Sequence, residues 1–195
     1  MKNILVISGH PELTHSVANA TILDEVETAL PDVEIRRLDR LYPDGKFNIA
    51  AEQESLLRAD VIVWQFPFSW YGLPGLMKKW LDEVFVHGFA HGSTAKLGGK
   101  KLILSFTTGA PEELYTVDSF FGHTIEEYLI PFETTARLCN LELLAPVYTC
   151  GIAVNLQLSP EEIQFLEETY QPHVLTGIMA QNTPQTKDVK QVWMR

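Results

Sequence analysis

Three short runs constrain this chain more than anything else in it: Ile4-Leu5-Val6-Ile7 after Asn3, Val61-Ile62-Val63-Trp64 after Asp60, and Leu102-Ile103-Leu104-Ser105-Phe106 after Lys100-Lys101. A strand with one wet face alternates apolar and polar residues, whereas these runs are apolar almost throughout. Each therefore suits a strand buried on both faces, as happens in a parallel sheet covered by helices. Each run also ends in a break: Ser8-Gly9 after the first, Pro67 after the second, and Thr107-Thr108-Gly109-Ala110-Pro111 after the third.

Between the runs the pattern turns helical. Ser16 reads as the cap of a helix with Ala20, Leu23, Val26 and Leu30 on one face, which Pro31 ends. Val33 to Leu38 alternates as a half-exposed edge strand does, and Asp39 to Ala50, with Pro43, Asp44 and Gly45, reads as a long loop before a short helical stretch from Glu52 to Arg58. Leu76, Met77, Trp80, Leu81 and Val84 share one face of an amphipathic helix. The four glycines between His87 and Gly99 suggest a surface excursion rather than packed structure. Ile125, Tyr128, Leu129, Phe132 and Ala136 mark a helix interrupted by Pro131, and Leu141 to Val147 gives a fifth strand. Ser159-Pro160-Glu161-Glu162 opens a last amphipathic helix through Ile163, Leu166, Tyr170 and Val174. The expected fold is α/β: a doubly wound, five-stranded parallel sheet of order 2-1-3-4-5 with helices on both faces. One domain over residues 1–182 and a polar tail over 183–195 follow from the 195-residue length.

Composition narrows the function. A net charge of −10 argues against nucleic-acid or anionic-membrane binding, which need basic patches. No apolar run approaches the roughly 18 residues of a membrane span, so a cytoplasmic protein is expected. Cys139 and Cys150 match no metal or redox spacing and read as buried or half-buried thiols. His87 and His91, four apart but flanked by Gly88 and Gly92, read as surface-loop histidines, and no metal is expected.

In the order 2-1-3-4-5, the loops after the first and third strands flank the topological switch point, where open α/β sheets bind ligands. The first loop runs from His10 to Ser16 into a helix N-terminus, whose free N–H groups favour an anion such as phosphate; Ser16 and Asn19 can add donors. It is neither a GxGxxG nor a GxxxxGK[ST] loop. The second carries Pro67, Phe68, Ser69, Trp70 and Tyr71, a wall for a flat ligand, although Trp64, Phe66 and Phe68 also suit an ordinary core. Thr107, Thr108, Gly109 and Ala110 bring hydroxyls and a glycine to the third loop. Together these loops suit a phosphorylated flat cofactor, FMN or the flavin end of FAD.

The pieces Gly9-His10-Pro11 with Ser16-x-x-Asn19, Phe66-Pro67-x-x-Trp70-Tyr71-x-x-Pro74-x-x-x-Lys78-x-Trp80-x-Asp82-x-Val84-Phe85, and Thr107-Thr108-Gly109 recur in order and spacing. In them the chain resembles the NAD(P)H:quinone oxidoreductase family of flavodoxin-like flavoproteins, which includes ancillary subunits of glutathione-gated potassium efflux systems. The resemblance covers about residues 2–155. It implies a flavin whose phosphate sits on His10, Ser16, Val17, Ala18 and Asn19. The flavin ring would lie against Pro67, Phe68, Ser69, Trp70 and Tyr71, with its polar edge held by Thr107, Thr108, Gly109 and Ala110. It further implies a homodimer, NAD(P)H as donor, and a quinone that enters the same pocket afterwards in a ping-pong cycle. Related reductases stabilise charge on the flavin's pyrimidine edge with a tyrosine and a histidine. Tyr115 matches the tyrosine, whereas Phe121 occupies the histidine position and His123 stands two residues farther on. Either Tyr115 acts alone or His123 reaches in.

Three function classes remain at this point: a quinone-reducing flavoenzyme, a regulatory subunit bound to a membrane potassium-efflux transporter, and an electron-carrying flavodoxin. The resemblance favours the first. The choices between FMN and FAD and between NADH and NADPH stay open.

Overall fold

The structure is a computed structural model, and it describes residues 2–152. The helix expected from Ser159, the boundary at residue 182 and the polar tail lie outside these residues. A parallel sheet runs through the centre in the order β2-β1-β3-β4-β5. Its strands are β1 (Ile4–Ser8), β2 (Glu34–Arg37), β3 (Val61–Pro67), β4 (Lys101–Thr107), β5 (Glu142–Leu143) and β6 (Val147–Thr149). The helices are α1 (Val17–Ala29), α2 (Leu38–Leu41), α3 (Ile49–Arg58), α4 (Gly75–Val84) and α5 (Ile125–Leu138).

Burial explains the three apolar runs. In β3 the residues from Val61 to Phe66 are all buried, as are those from Leu102 to Thr107 in β4. Period-two alternation sends Ile62, Trp64 and Phe66 into the larger core beneath α4 and α5, and Val61 and Val63 into the smaller core beneath α1. No described helix is long and apolar enough to cross a membrane.

Several boundaries differ from the sequence expectation. The loop expected over 39–50 begins as α2, because Leu38 is fully buried and anchors a helical turn. Farther on, the Asn48 side chain accepts the N–H of Ala51, so α3 starts at Ile49 rather than Glu52. All four residues of β2 are half-buried, since its polar side chains are engaged: Glu34 with Ser55 and Arg58, Arg36 with Glu52, Arg37 with Glu27. The Gly-rich excursion is packed rather than merely superficial, with Phe89, Ala90 and Leu97 inserted into the larger core. His87 is exposed and His91 half-buried, their rings 5.5 Å apart. No group of three potential metal ligands occurs among the described residues. Cys139 is buried and Cys150 is half-buried.

The fifth strand is two strands. β5 pairs Glu142 with Lys101 and Leu143 with Leu102, whereas β6 pairs Val147 with Ser105 and Thr149 with Thr107. The register between these segments slips by one residue, a bulge at Leu144-Ala145-Pro146, where Pro146 has no N–H to offer a ladder. An odd slip exchanges the two faces. Leu143 accordingly packs against the larger core, yet Val147 packs against the smaller one, and Tyr148 returns to the larger.

Candidate functional site

The strands β1, β3 and β4 end side by side, which brings the three loops together. The Gly9 N–H donates to the Gln65 carbonyl, and the Phe68 N–H donates to the Thr107 carbonyl. Gly9 is required for this closeness: a Cβ there would lie 2.4 Å from Met77 Sδ, so the first loop sits directly on α4.

Ser16 caps α1 as expected, its Oγ accepting the N–H of Asn19 at 3.2 Å. Helix geometry leaves the N–H groups of Val17 and Ala18 without intrahelical acceptors, at the positive end of the helix dipole. Val17 is exposed and Ala18 half-buried. His10 is half-buried, and its Nδ1 accepts the N–H of Glu12 at 3.1 Å, which puts the ring proton on Nε2. Burial lowers its pKa against the opposing pull of Asp39, so His10 presents a neutral N–H at pH 7. The Asp39 carboxylate in turn accepts the N–H of Leu13 at 2.9 Å and ties the first loop to α2.

A buried polar chain joins the loops beneath this surface. Ser8 Oγ donates to Gln65 Oε1 at 3.4 Å, and Gln65 Nε2 donates to Asn19 Oδ1 at 2.6 Å. Asn19 Nδ2 then donates to Ser16 Oγ at 2.9 Å and to Thr107 Oγ1 at 3.2 Å. Ser8 and Gln65 were not among the expected site residues. A polar residue inside an apolar run was their one signal, and it names no partner.

The second loop turns tightly. Ser69 and Gly72 form an isolated antiparallel bridge, and Trp70 and Tyr71 between them have φ of 49° and 63°. Positive φ at both central positions is the type I′ pattern, which normally calls for Asn or Gly. Two large aromatic residues held this way carry strain of about 1–3 kcal/mol each. The turn puts Trp70 into solvent at 94% exposure, whereas Phe68 is buried at 9% with its ring 5.1 Å from that of Phe106. Trp64 and Phe66 are core residues too. The plain core reading therefore describes the first part of the loop, and the exposed wall begins at Trp70. Pro67 and Ser69 are half-buried between the two.

Tyr71 stacks on Tyr128 of α5 at 4.9 Å and 15°, and Tyr128 meets Tyr115 edge-on at 6.0 Å. Phe121 completes the cluster, 5.1 Å from Tyr115 and 5.7 Å from Tyr71. Tyr115 is buried at 7% exposure; burial raises its pKa, with the Thr108 hydroxyl pulling the other way. His123 meets the cluster from outside, 5.7 Å from the Tyr128 ring, with Nδ1 3.3 Å from Glu127. In the third loop Thr108 Oγ1 donates to the Ala110 carbonyl at 2.7 Å, and Gly109 is exposed. The bulge matters here, because it delivers the chain after β6 to this loop. The Thr108 N–H donates to the Thr149 carbonyl, and the Ile152 and Gly151 N–H groups donate to the Thr108 and Ala110 carbonyls.

Chemically, the arrangement offers hydrogen-bond donors to an anion at α1, and an exposed aromatic surface beside it at the mouth of the same three strands. These residues fit a phosphorylated planar group.

Comparison with known proteins is consistent with that geometry. The chain is 46% identical over 144 residues to the glutathione-regulated potassium-efflux system ancillary protein KefF of Enterobacter sp. (strain 638), covering 73% of this chain and 80% of that protein. Among solved structures it resembles general stress protein 14 of Treponema denticola in complex with FMN, at 34% identity and a TM-score of 0.73, covering 91% of this chain and 98% of the other. It also resembles the NADPH-quinone reductase of P. pentosaceus, at 28% identity and a TM-score of 0.68, over 89% and 98% of the two chains. The family model described as Flavodoxin-like fold matches residues 2–174, and the chain belongs to this flavodoxin-like family.

Proposed function

We propose that the protein is an NAD(P)H-dependent flavin oxidoreductase that reduces quinones and other flat acceptors in a ping-pong cycle. The observation that carries this reading is the strained Ser69–Gly72 turn, which spends backbone energy to hold Trp70 in solvent on the loop after β3, the strand paired with the one that feeds the anion-ready end of α1. Strain kept against folding is a mark of function when the exposed group has no structural task. The relatives bound to FMN or called a quinone reductase support the same assignment.

In this reading His10, Ser16, Val17 and Ala18 hold the phosphate of FMN, or the corresponding phosphate of FAD, and the buried Asn19, whose N–H groups go to Ser16 and Thr107, supports them from beneath. Trp70 and Tyr71 form the wall against the ring, flanked by the half-buried Pro67 and Ser69 and backed by Phe68 in the core, and the loop Thr107, Thr108, Gly109 and Ala110 meets its polar edge. When bound, the flavin supplies hydride acceptance from a reduced nicotinamide and electron donation to a quinone. Tyr115 keeps its proton at neutral pH and offers a neutral donor to developing negative charge. His123 is the second candidate for that role. A second copy of the chain closes the site.

A second reading follows from the 46% identity to an ancillary protein of a potassium-efflux system: a regulatory subunit that binds a membrane transporter. One set of measurements separates the two. Purified protein is titrated with FMN and FAD, then assayed for NADH or NADPH oxidation with and without a small quinone. Flavin binding with quinone-dependent oxidation is the expected result. Failure to bind either flavin overturns both the site and the activity. Flavin binding without turnover, with co-purification of a transporter, selects the regulatory reading.

A further inference from the structure

We propose that Gln65 is a positioning residue that fixes the direction of hydrogen bonding along the buried chain and so commits the Ser16 hydroxyl to donate to the anion at α1. The inference rests on the reading that a flavin phosphate seats there.

Directionality is the core of the argument. Ser16 Oγ accepts twice, from the Asn19 N–H and from Asn19 Nδ2, at 3.2 and 2.9 Å. A hydroxyl has two lone pairs and one proton, so both acceptor sites are used and its proton must go elsewhere. The proton is then free for an oxyanion, and charge-assisted bonds of this kind are the strong ones.

Ser16 keeps this arrangement only while Asn19 presents its NH2 rather than its carbonyl. A carboxamide can turn over at no steric cost, after which Asn19 Oδ1 would take the Ser16 proton for itself. Gln65 opposes that turn. Its Nε2 donates to Asn19 Oδ1 at 2.6 Å, and its Oε1 accepts from Ser8 Oγ, whose proton would lose that acceptor if the two amides turned over together. Turning Asn19 would set two NH2 groups face to face in a site where Ser8, Gln65, Asn19 and Thr107 are each no more than 1% exposed. Burial this deep keeps bulk solvent from relieving the clash. Gln65 itself is wholly buried, so it acts through Asn19 rather than by touching the ligand.

The test compares FMN with riboflavin, which has the same ring system and lacks the phosphate. Dissociation constants are measured by flavin fluorescence for the wild type, Gln65→Met, Ser16→Ala and the double variant, alongside thermal unfolding of each. Met matches Gln in length but cannot donate, and Thr107 Oγ1 lies within reach of both Asn19 amide atoms, at 3.2 and 3.4 Å, so it satisfies Asn19 in either orientation without choosing between them. The expected result is a loss of FMN affinity of roughly tenfold in each single variant, riboflavin affinity held within about twofold, and no further loss in the double variant. Equal losses for both flavins, or additive losses in the double variant, overturn the proposal and leave Gln65 a purely structural residue. A wild type that binds riboflavin as tightly as FMN removes the phosphate seat itself, and binding of neither removes the flavin site. Should Gln65→Met not fold, Ser8→Ala, which frees the Gln65 amide to turn, is read by the same ratio: an FMN-selective loss supports the proposal, and an unchanged ratio overturns it.

Discussion

Tyr115 and Phe121 set the chemistry of the cluster beside the third loop. Burial holds the Tyr115 phenol protonated beyond the ordinary tyrosine range, so its donor capacity is insensitive to pH near neutrality. Phe121 fills the neighbouring space with a ring that has no proton to give. Replacing Tyr115 by Phe removes the donor while keeping the ring. The expected effect is a roughly tenfold to hundredfold slower reduction of bound flavin by NADPH, with flavin affinity within about twofold, measured by stopped-flow absorbance. An unchanged rate would remove Tyr115 from the mechanism. The resemblance singled out Tyr115 in the sequence, and the structure sets it against Phe121 and Tyr128. Gln65 was not legible there, because its partners Asn19 and Ser8 lie 46 and 57 residues away and only the sheet brings them together.

Among the elements, the Ser69–Gly72 turn shows where local reading stops. Gly72, Pro74 and Gly75 are the turn formers of this stretch, yet the positive φ values fall on Trp70 and Tyr71, which local propensity would place there last. The stack of Tyr71 on Tyr128 helps to hold that geometry, and it depends on α5, far along the chain. Since Trp70 is almost wholly exposed, Trp70→Gly removes strain without opening the core. It should stabilise the flavin-free protein by about 1 kcal/mol in urea unfolding while weakening flavin binding severalfold in titration. A loss of stability would show that the turn is not strained. The same dependence on tertiary contacts explains α2 and the packed Gly-rich excursion. Leu38, Phe89 and Leu97 are single apolar residues in polar or glycine-rich surroundings, and such residues announce burial only when a core stands beneath them. The central strands needed no such help, because their own composition demands two covered faces.

Across the whole molecule, carboxylates tie the layers together and set the response to acid. Glu27 is held below its ordinary value near 4.5 by its hydrogen bond to Arg37, which links α1 to β2. Burial pulls Glu34 upward, but the hydroxyl of Ser55 and the guanidinium of Arg58 outweigh it and its pKa too is lowered. Glu127 is lowered by the Thr124 N–H in the capping box of α5. Each folded value lies below the unfolded one, so the stability they contribute is present above about pH 4.5 and is lost as pH falls through the folded values. The urea midpoint should therefore decline on acidification, most steeply below pH 4.5. The net charge of −10 passes through zero near the sequence pI of about 5.0 and turns positive below it, so growing cationic self-repulsion adds to this loss at the acid end. A midpoint that stays flat to pH 3.5 would refute the linkage. The bulge between Leu143 and Val147 has a consequence for how this chain can vary. Strand phase, once set by β5, would reach Tyr148 on the wrong side; the extra residue resets it, so that Tyr148 stacks on Phe106 and Thr149 meets the third loop. Deleting one residue from this stretch would leave composition almost untouched and yet misalign everything downstream, so here the spacing of the chain is itself a component of the site.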